Sequence, residues 1–205
     1  MSLESLLSRT DIWRGGGQAP PTAAVVPTGN STLDEALGGG WPRGALTELL
    51  LPTHGIGELT LLLPTLAALS RAGHWQCWVA PPYLPYPPAL TQAGIALDTF
   101  LLVRPSEPKE ALWAQEQALR SRVCGAVLGW PLRADTRALR RLQLAAEAGG
   151  AAGFLLRPLE AAQTPSPAAL RLRLEATPDG LTLHVLKRRG GRAAGAVTYP
   201  RHAVG

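Results

Sequence analysis

From residue 45 onward, short apolar runs alternate with stretches whose apolar residues recur every three or four positions. A bounded apolar run of four to eight residues reads as a strand, and a 3.6-residue recurrence reads as a helix. Ala45 to Leu51 is therefore expected to be a strand. Gly57 to Ala72 is expected to be a helix, with Pro64 as a kink or boundary because its ring leaves no N–H to donate. Trp75 to Ala80 reads as a strand, Pro81 to Pro88 as a loop, and Ala89 to Gly94 as a short helix ended by its glycine. Phe100 to Val103 reads as a strand. Ser106 is placed to cap a helix running to Arg120, with Pro108 in its first turn. Gly125 to Trp130 is continuously apolar, as a strand buried on both faces is. Asp135 is placed to cap a helix to Ala148 that carries Leu139, Leu142 and Ala146 on one face, and Ala152 to Leu156 reads as another buried strand.

Strands alternating with helices predict an α/β fold, a parallel sheet flanked by helices. The end of the chain changes pattern. Leu170 to Ala176, the turn Pro178-Asp179-Gly180, and Leu181 to Lys187 predict an antiparallel β-hairpin. In it Arg171, Arg173 and Glu175 alternate with Leu170, Leu172 and Leu174, giving one charged and one apolar face. At the other end, Leu3, Leu6 and Leu7 predict a short helix, and Trp13-Arg14-Gly15-Gly16-Gly17 begins a glycine- and proline-rich arm. Trp and Arg together are the composition of an interface anchor. Trp13 and Arg14 thus read either as a docking arm or as a self-packed tail. The expected division is 1–26 as helix and arm, and 27–205 as core.

Composition narrows the class. Hydrophobic residues make up 46% and charged residues 17%, enough for a sizeable core. No basic stretch followed by an apolar run marks a leader. The apolar stretch from Leu59 to Leu69 is broken by Thr60, Pro64 and Thr65 and is too short to span a bilayer, so a cytoplasmic location without membrane contact is expected. Cys77 and Cys124 lie in apolar runs and read as buried, reduced thiols. His54, His74, His184 and His202 are scattered, and no metal-ligand spacing appears. The net charge of +5 is concentrated at the end, where Arg171, Arg173, Lys187, Arg188, Arg189, Arg192 and Arg201 face only Glu175 and Asp179. A basic end on a neutral body points to phosphates or an acidic partner, or is simply a solvated tail.

One segment resembles a phosphate-binding loop. Thr53-His54-Gly55-Ile56-Gly57-Glu58 stands between a strand and a helix, where loop amides cradle phosphate. A working loop follows its glycines with a lysine and a Ser/Thr. Here Glu58 follows Gly57. A carboxylate about 4 Å from a phosphate costs ~4 kcal/mol at an effective dielectric of 20. The strand Gly125 to Trp130 ends in Trp130-Pro131 rather than in an acid for magnesium, and Gly153 to Leu156 is followed by Arg157-Pro158 with no polar sensor. The reading is a degenerate loop with no catalytic residue, no metal and no cofactor.

The stretch Thr28-Gly29, Leu33-Asp34, Leu37-Gly38-Gly39-Gly40-Trp41-Pro42-Arg43-Gly44 resembles the approach to the RecA core, so the fold implied is RecA-like. The middle, Leu61-Leu62-Leu63-Pro64, His74-Trp75-Gln76-Cys77-Trp78, Val127-Leu128-Gly129-Trp130 and Gly153-Phe154-Leu155-Leu156-Arg157-Pro158, resembles the SulA family. The Trp13-Arg14-Gly15 arm and the arginine-rich Leu183 to Arg192 strand are similar to the ImuA family, which is SulA-like and RecA-like, and that resemblance spans nearly the whole chain. It implies a non-catalytic accessory protein of the SOS response to DNA damage, supporting mutagenic translesion synthesis. The implied partners are RecA, ImuB and the error-prone DnaE-type polymerase, with DNA binding weak or indirect. The SulA resemblance implies instead a division inhibitor binding FtsZ. Trp13, Arg14, Lys187, Arg188, Arg189 and Arg192 are the candidate partner-binding residues. Lys187 and Arg188 in particular could be offered to a RecA neighbour's nucleotide.

Overall fold

Seven consecutive residues, Ala45–Leu51, are buried, which requires neighbours on both edges and both faces. In a computed structural model of the chain, which describes residues 24–191 and 195–200, this strand (β3) has them. It pairs in parallel with Ala152–Pro158 (β7) on one side and Leu170–Thr177 (β8) on the other. Beyond β7 follow Cys124–Gly129 (β6), Trp75–Val79 (β4) and Phe100–Val103 (β5), all parallel. Beyond β8 follow Gly180–Arg188 (β9) and Ala196–Pro200 (β10), both antiparallel. The eight strands run β10-β9-β8-β3-β7-β6-β4-β5. The α/β class and the terminal antiparallel pair are thus as the pattern predicts. A small antiparallel pair, Val25–Val26 (β1) with Trp41–Pro42 (β2), stands beside the main sheet.

Five helices cover the two faces among the described residues. Ser31–Leu37 (α1), Glu58–Arg71 (α2) and Pro87–Gln92 (α3) lie over one core, containing Leu33, Leu62, Leu66 and Leu90 with Trp41, Trp78 and Phe154. Pro108–Arg120 (α4) and Thr136–Gly149 (α5) lie over the other, containing Leu46, Val127, Leu119, Leu139 and Leu142. Each fully buried leucine contributes ~1.5–3 kcal/mol over leaving it in water. Alternate residues of β3 point into different cores: Leu46 into the second, Leu49 and Leu51 into the first.

Some local expectations need correction. Pro64 is not a boundary of α2, since the helix continues through it to Arg71. Its ring packs on Gly29, where an added Cβ would come 2.6 Å from the proline Cβ. The cap of α4 is Glu107 rather than Ser106: Glu107 and Glu110 form a reciprocal capping box, and Ser106 donates its N–H to Glu110 at 3.2 Å. Asp135 caps α5 as expected, accepting the Ala138 N–H at 2.7 Å. Helix α1 and strand β10 were not foreseen. Asn30 starts α1 by accepting the Leu33 N–H, and Gly38 ends it at φ 82°, a conformation a side chain would strain.

Candidate functional site

The loop after β3 carries the chemistry the sequence singled out. Thr53, His54, Gly55, Ile56, Gly57 and Glu58 are contiguous between β3 and α2. Gly55 and Gly57 both adopt positive φ, 83° and 108°, so the backbone turns as an anion-binding loop does. Gly57 caps α2 without a side chain to offer. The anion is supplied internally. Glu58 Oε1 accepts the Gly55 N–H at 2.9 Å and Oε2 accepts the Gly57 N–H at 3.1 Å. The side chain is buried. The negative end of Glu58 also complements the N-terminal dipole of α2. Sequence reasoning expected this carboxylate to repel a phosphate; the geometry adds that it occupies the amides a phosphate would need.

Much of the rest of the carboxyl edge is apolar. Trp130, where an acid would hold magnesium, is buried and packs against Trp78 at 5.8 Å between ring centroids. A cavity of about 470 Å³ opens here, lined by His54, Ala80, Pro105, Leu112 and Trp130 among others. It lies where the chain leaves β4 and β6 toward opposite faces, the usual ligand crevice of such sheets. His54 Nδ1 is buried in it without a partner among the described residues, and the charged side chains lining it are Arg133 and Glu107 rather than a lysine at the loop. A nucleoside triphosphate with its magnesium does not fit these residues.

Arg157, at the end of β7, is turned inward. Its Nη1 donates to Glu48 Oε1 at 2.6 Å and its Nη2 to the Ala134 carbonyl at 3.1 Å. Arg171 Nε donates to the other oxygen, Oε2, at 2.5 Å. Arg171 also holds the carbonyls of Thr164 and Ala161. The alternation that predicted a charged face for the hairpin fails at this residue, because Arg171 is buried against Glu48 in the neighbouring strand. This triad was missed. The available signal was Glu48 itself, one acid inside a strand otherwise apolar but for Thr47, which demands a cation when buried.

The basic candidates of the hairpin lie far from the loop. Lys187 and Arg188 pair with Arg171 and Leu170, level with Glu48 and Thr47 in the middle of β3, whereas Gly57 packs near Leu181 at the opposite end of β9. Lys187 Nζ donates to the Ser166 carbonyl at 2.7 Å, and Arg188 Nη1 to the Ala36 carbonyl of α1 at 3.0 Å. Burial, then the neighbouring Arg189 and Arg171, lower the Lys187 pKa against the opposing pull of Glu48. Arg189 meets Glu147 at 3.3 Å. Trp13, Arg14 and Arg192 lie outside the described residues. Among those described, no three His, Cys, Asp or Glu side chains gather as a metal would require, and no helix is long and apolar enough to cross a membrane.

Comparison with known proteins places this geometry among relatives. Residues 44–153 match the family model described as Cell division inhibitor SulA. The Cell division inhibitor SulA of Edwardsiella piscicida is 40% identical over 105 residues, 50% of this chain and 61% of that protein. That of a Yersinia pestis strain is 34% identical over 118 residues, 57% of this chain and 69% of that protein. Protein RecA of a Picosynechococcus strain is 29% identical over 119 residues, 58% of this chain but only 34% of that protein. The chain therefore spans about three-fifths of the first of these relatives and about a third of the RecA protein.

Proposed function

Because the chain belongs to the SulA family and is related to RecA, we propose that it is a non-catalytic protein of the SOS response that inhibits cell division by binding FtsZ. The observation that supports a binding role over a catalytic one is the Glu58 carboxylate on the Gly55 and Gly57 amides. A loop so filled offers no cradle to a phosphoryl group. In this reading the fold is a rigid scaffold, and its work is done by surfaces. The FtsZ target rests on the family match over residues 44–153.

A second reading, an ImuA-like accessory of translesion synthesis that binds RecA, ImuB and the DnaE-type polymerase, is favoured by what lies outside that match. The α1 segment, with Thr28 N–H donated to Asp34 Oδ1 at 2.7 Å, and the β8-β9-β10 extension are both ordered parts of the fold. Binding of the purified chain to FtsZ, RecA and ImuB from one organism separates the two. Binding to FtsZ, with suppression of its polymerisation in light scattering, supports division arrest. Binding to RecA or ImuB with no effect on FtsZ replaces that reading with the second.

A further inference from the structure

The positive charge of the hairpin is engaged within the chain: Arg171 on Glu48, Arg173 near Glu175, Lys187 and Arg188 on carbonyls, Arg189 on Glu147. Unengaged charge lies elsewhere. Residues 120–144 hold six arginines against one acid, Asp135, and that acid caps α5. Arg133, Arg137 and Arg140 are exposed and have no hydrogen bond or ion pair among the described residues. Arg137 and Arg140 project from the side of α5 away from its buried Leu139, Leu142 and Ala146.

The placement of Arg137 opposes the helix dipole. Beyond the cap Asp135, the first turn of α5 contains no acid, and Arg137 adds to the positive end of the helix. An external anion would relieve that repulsion. On α4, next in sequence to Leu112, Trp113 is 61% exposed. Leu112, Leu132, Arg133 and Ala138 line one groove, which brings the arginine side of α5 against the start of α4. One turn along, Glu116 bridges Arg120 and Arg141 and fixes the two helices together. Glu107 is paired with Lys109, and Glu110 is occupied in the capping box.

We propose that this α4–α5 face binds single-stranded nucleic acid, with Trp113 stacking on an unpaired base and Arg133, Arg137 and Arg140 pairing with phosphates. An indole flanked by cations is the pairing such ligands use, since every base presents a face to stack. Leu132 and Leu144 are also exposed here, but the charge of the face is carried by guanidiniums without an acid partner among the described residues, which suits a polyanion. The assignment is independent of the division-inhibitor reading, and either can fail without the other.

The test is fluorescence anisotropy of a labelled oligothymidylate with the full chain across a salt series. Binding at low salt is expected, with a log–log salt slope of about −2 for three phosphates. R133E/R137E/R140E should lose at least about tenfold by losing those contacts. Trp113→Ala should lose about tenfold by losing the stack, with Trp113→Phe close to the parent. These side chains are exposed, so the variants should stay folded, with thermal midpoints at or somewhat above that of the parent because the acid introduced at Arg137 suits the helix N-terminus. The proposal is overturned by absence of binding at low salt. It is equally overturned if only reversal of Lys187 and Arg188 removes binding, or if Trp113→Ala binds as the parent does. Capture of polyglutamate in preference to the oligonucleotide would assign the face to an acidic protein instead.

Discussion

Glu48 and Arg171 stand opposite one another in the register of β3 and β8, and their side chains meet at 2.5 Å. Arg157 takes the other carboxylate oxygen from β7 at 2.6 Å. One buried anion therefore joins three adjacent strands that are far apart in sequence. Glu48→Gln leaves two buried guanidiniums without their counter-charge and is expected to cost about 3–5 kcal/mol, read from the urea unfolding midpoint. Replacing all three side chains with leucine and methionine should recover most of that loss, because the desolvation of the ions goes with them. A triple variant no more stable than Glu48→Gln would show that the pairing itself, rather than the orphaned charge, carries the energy.

Glu58→Ala removes both acceptors from the loop amides. Hydrogen bonds to a charged group are each worth about 1.5–3 kcal/mol, so the variant should unfold measurably earlier in temperature. Millimolar inorganic phosphate should raise its midpoint and leave that of the parent unchanged, because only the variant has amides to offer. A parent equally stabilised by phosphate would mean that the anion binds elsewhere.

Reversing the charges of Lys187 and Arg188 should perturb the fold as well as any partner. Each side chain donates to a carbonyl, of Ser166 and of Ala36. The doubly reversed variant is expected to lose about 1–3 kcal/mol and to exchange amide hydrogens of α1 faster than the parent. Unchanged stability and exchange would return these residues to the surface as free contacts.

Burial sets the alkaline limit. The Cys77 thiol is pushed up to about 12, first by burial and then by the nearby Cys124, whose own pKa is raised chiefly by burial. Tyr199 is raised by burial as well. Above the ordinary thiol value the unfolded chain releases protons that the folded chain keeps, so stability falls with pH from about 9 up to about 12. Lys187 acts in the opposite direction: its lowered value means the folded chain gives up a proton first, and stability gains as pH passes through that value. Unfolding midpoints across this range should decline. Cys77→Ser should flatten part of the decline, and a thiol reagent should label Cys77 only after unfolding.

Local periodicity carried much of the architecture. The strands Ala45–Leu51 and Phe100–Val103 coincide with their apolar runs, and Asp135 caps α5 as its position before the helix implies. Each of these depends on neighbours in sequence. What periodicity missed depends on neighbours in space. Arg171 alternates correctly yet is buried, because β3 brings Glu48 to it. The cationic face of α4 and α5 was hidden because the acids that balance it in a running count, such as Asp34, Glu35 and Glu48, fold onto other parts of the molecule. In the loop, the loss of the lysine was plain from the sequence, but that Glu58 reaches back to Gly55 and Gly57 was a matter of geometry.

Glu58 also bears on time. A complex held by a bound nucleotide can be released when that ligand is cleaved and leaves. A carboxylate tethered to the chain by its own covalent bonds is never consumed. On the proposed non-catalytic reading, a complex formed by this protein has no hydrolytic clock, and it lasts until it dissociates or the chain itself is removed.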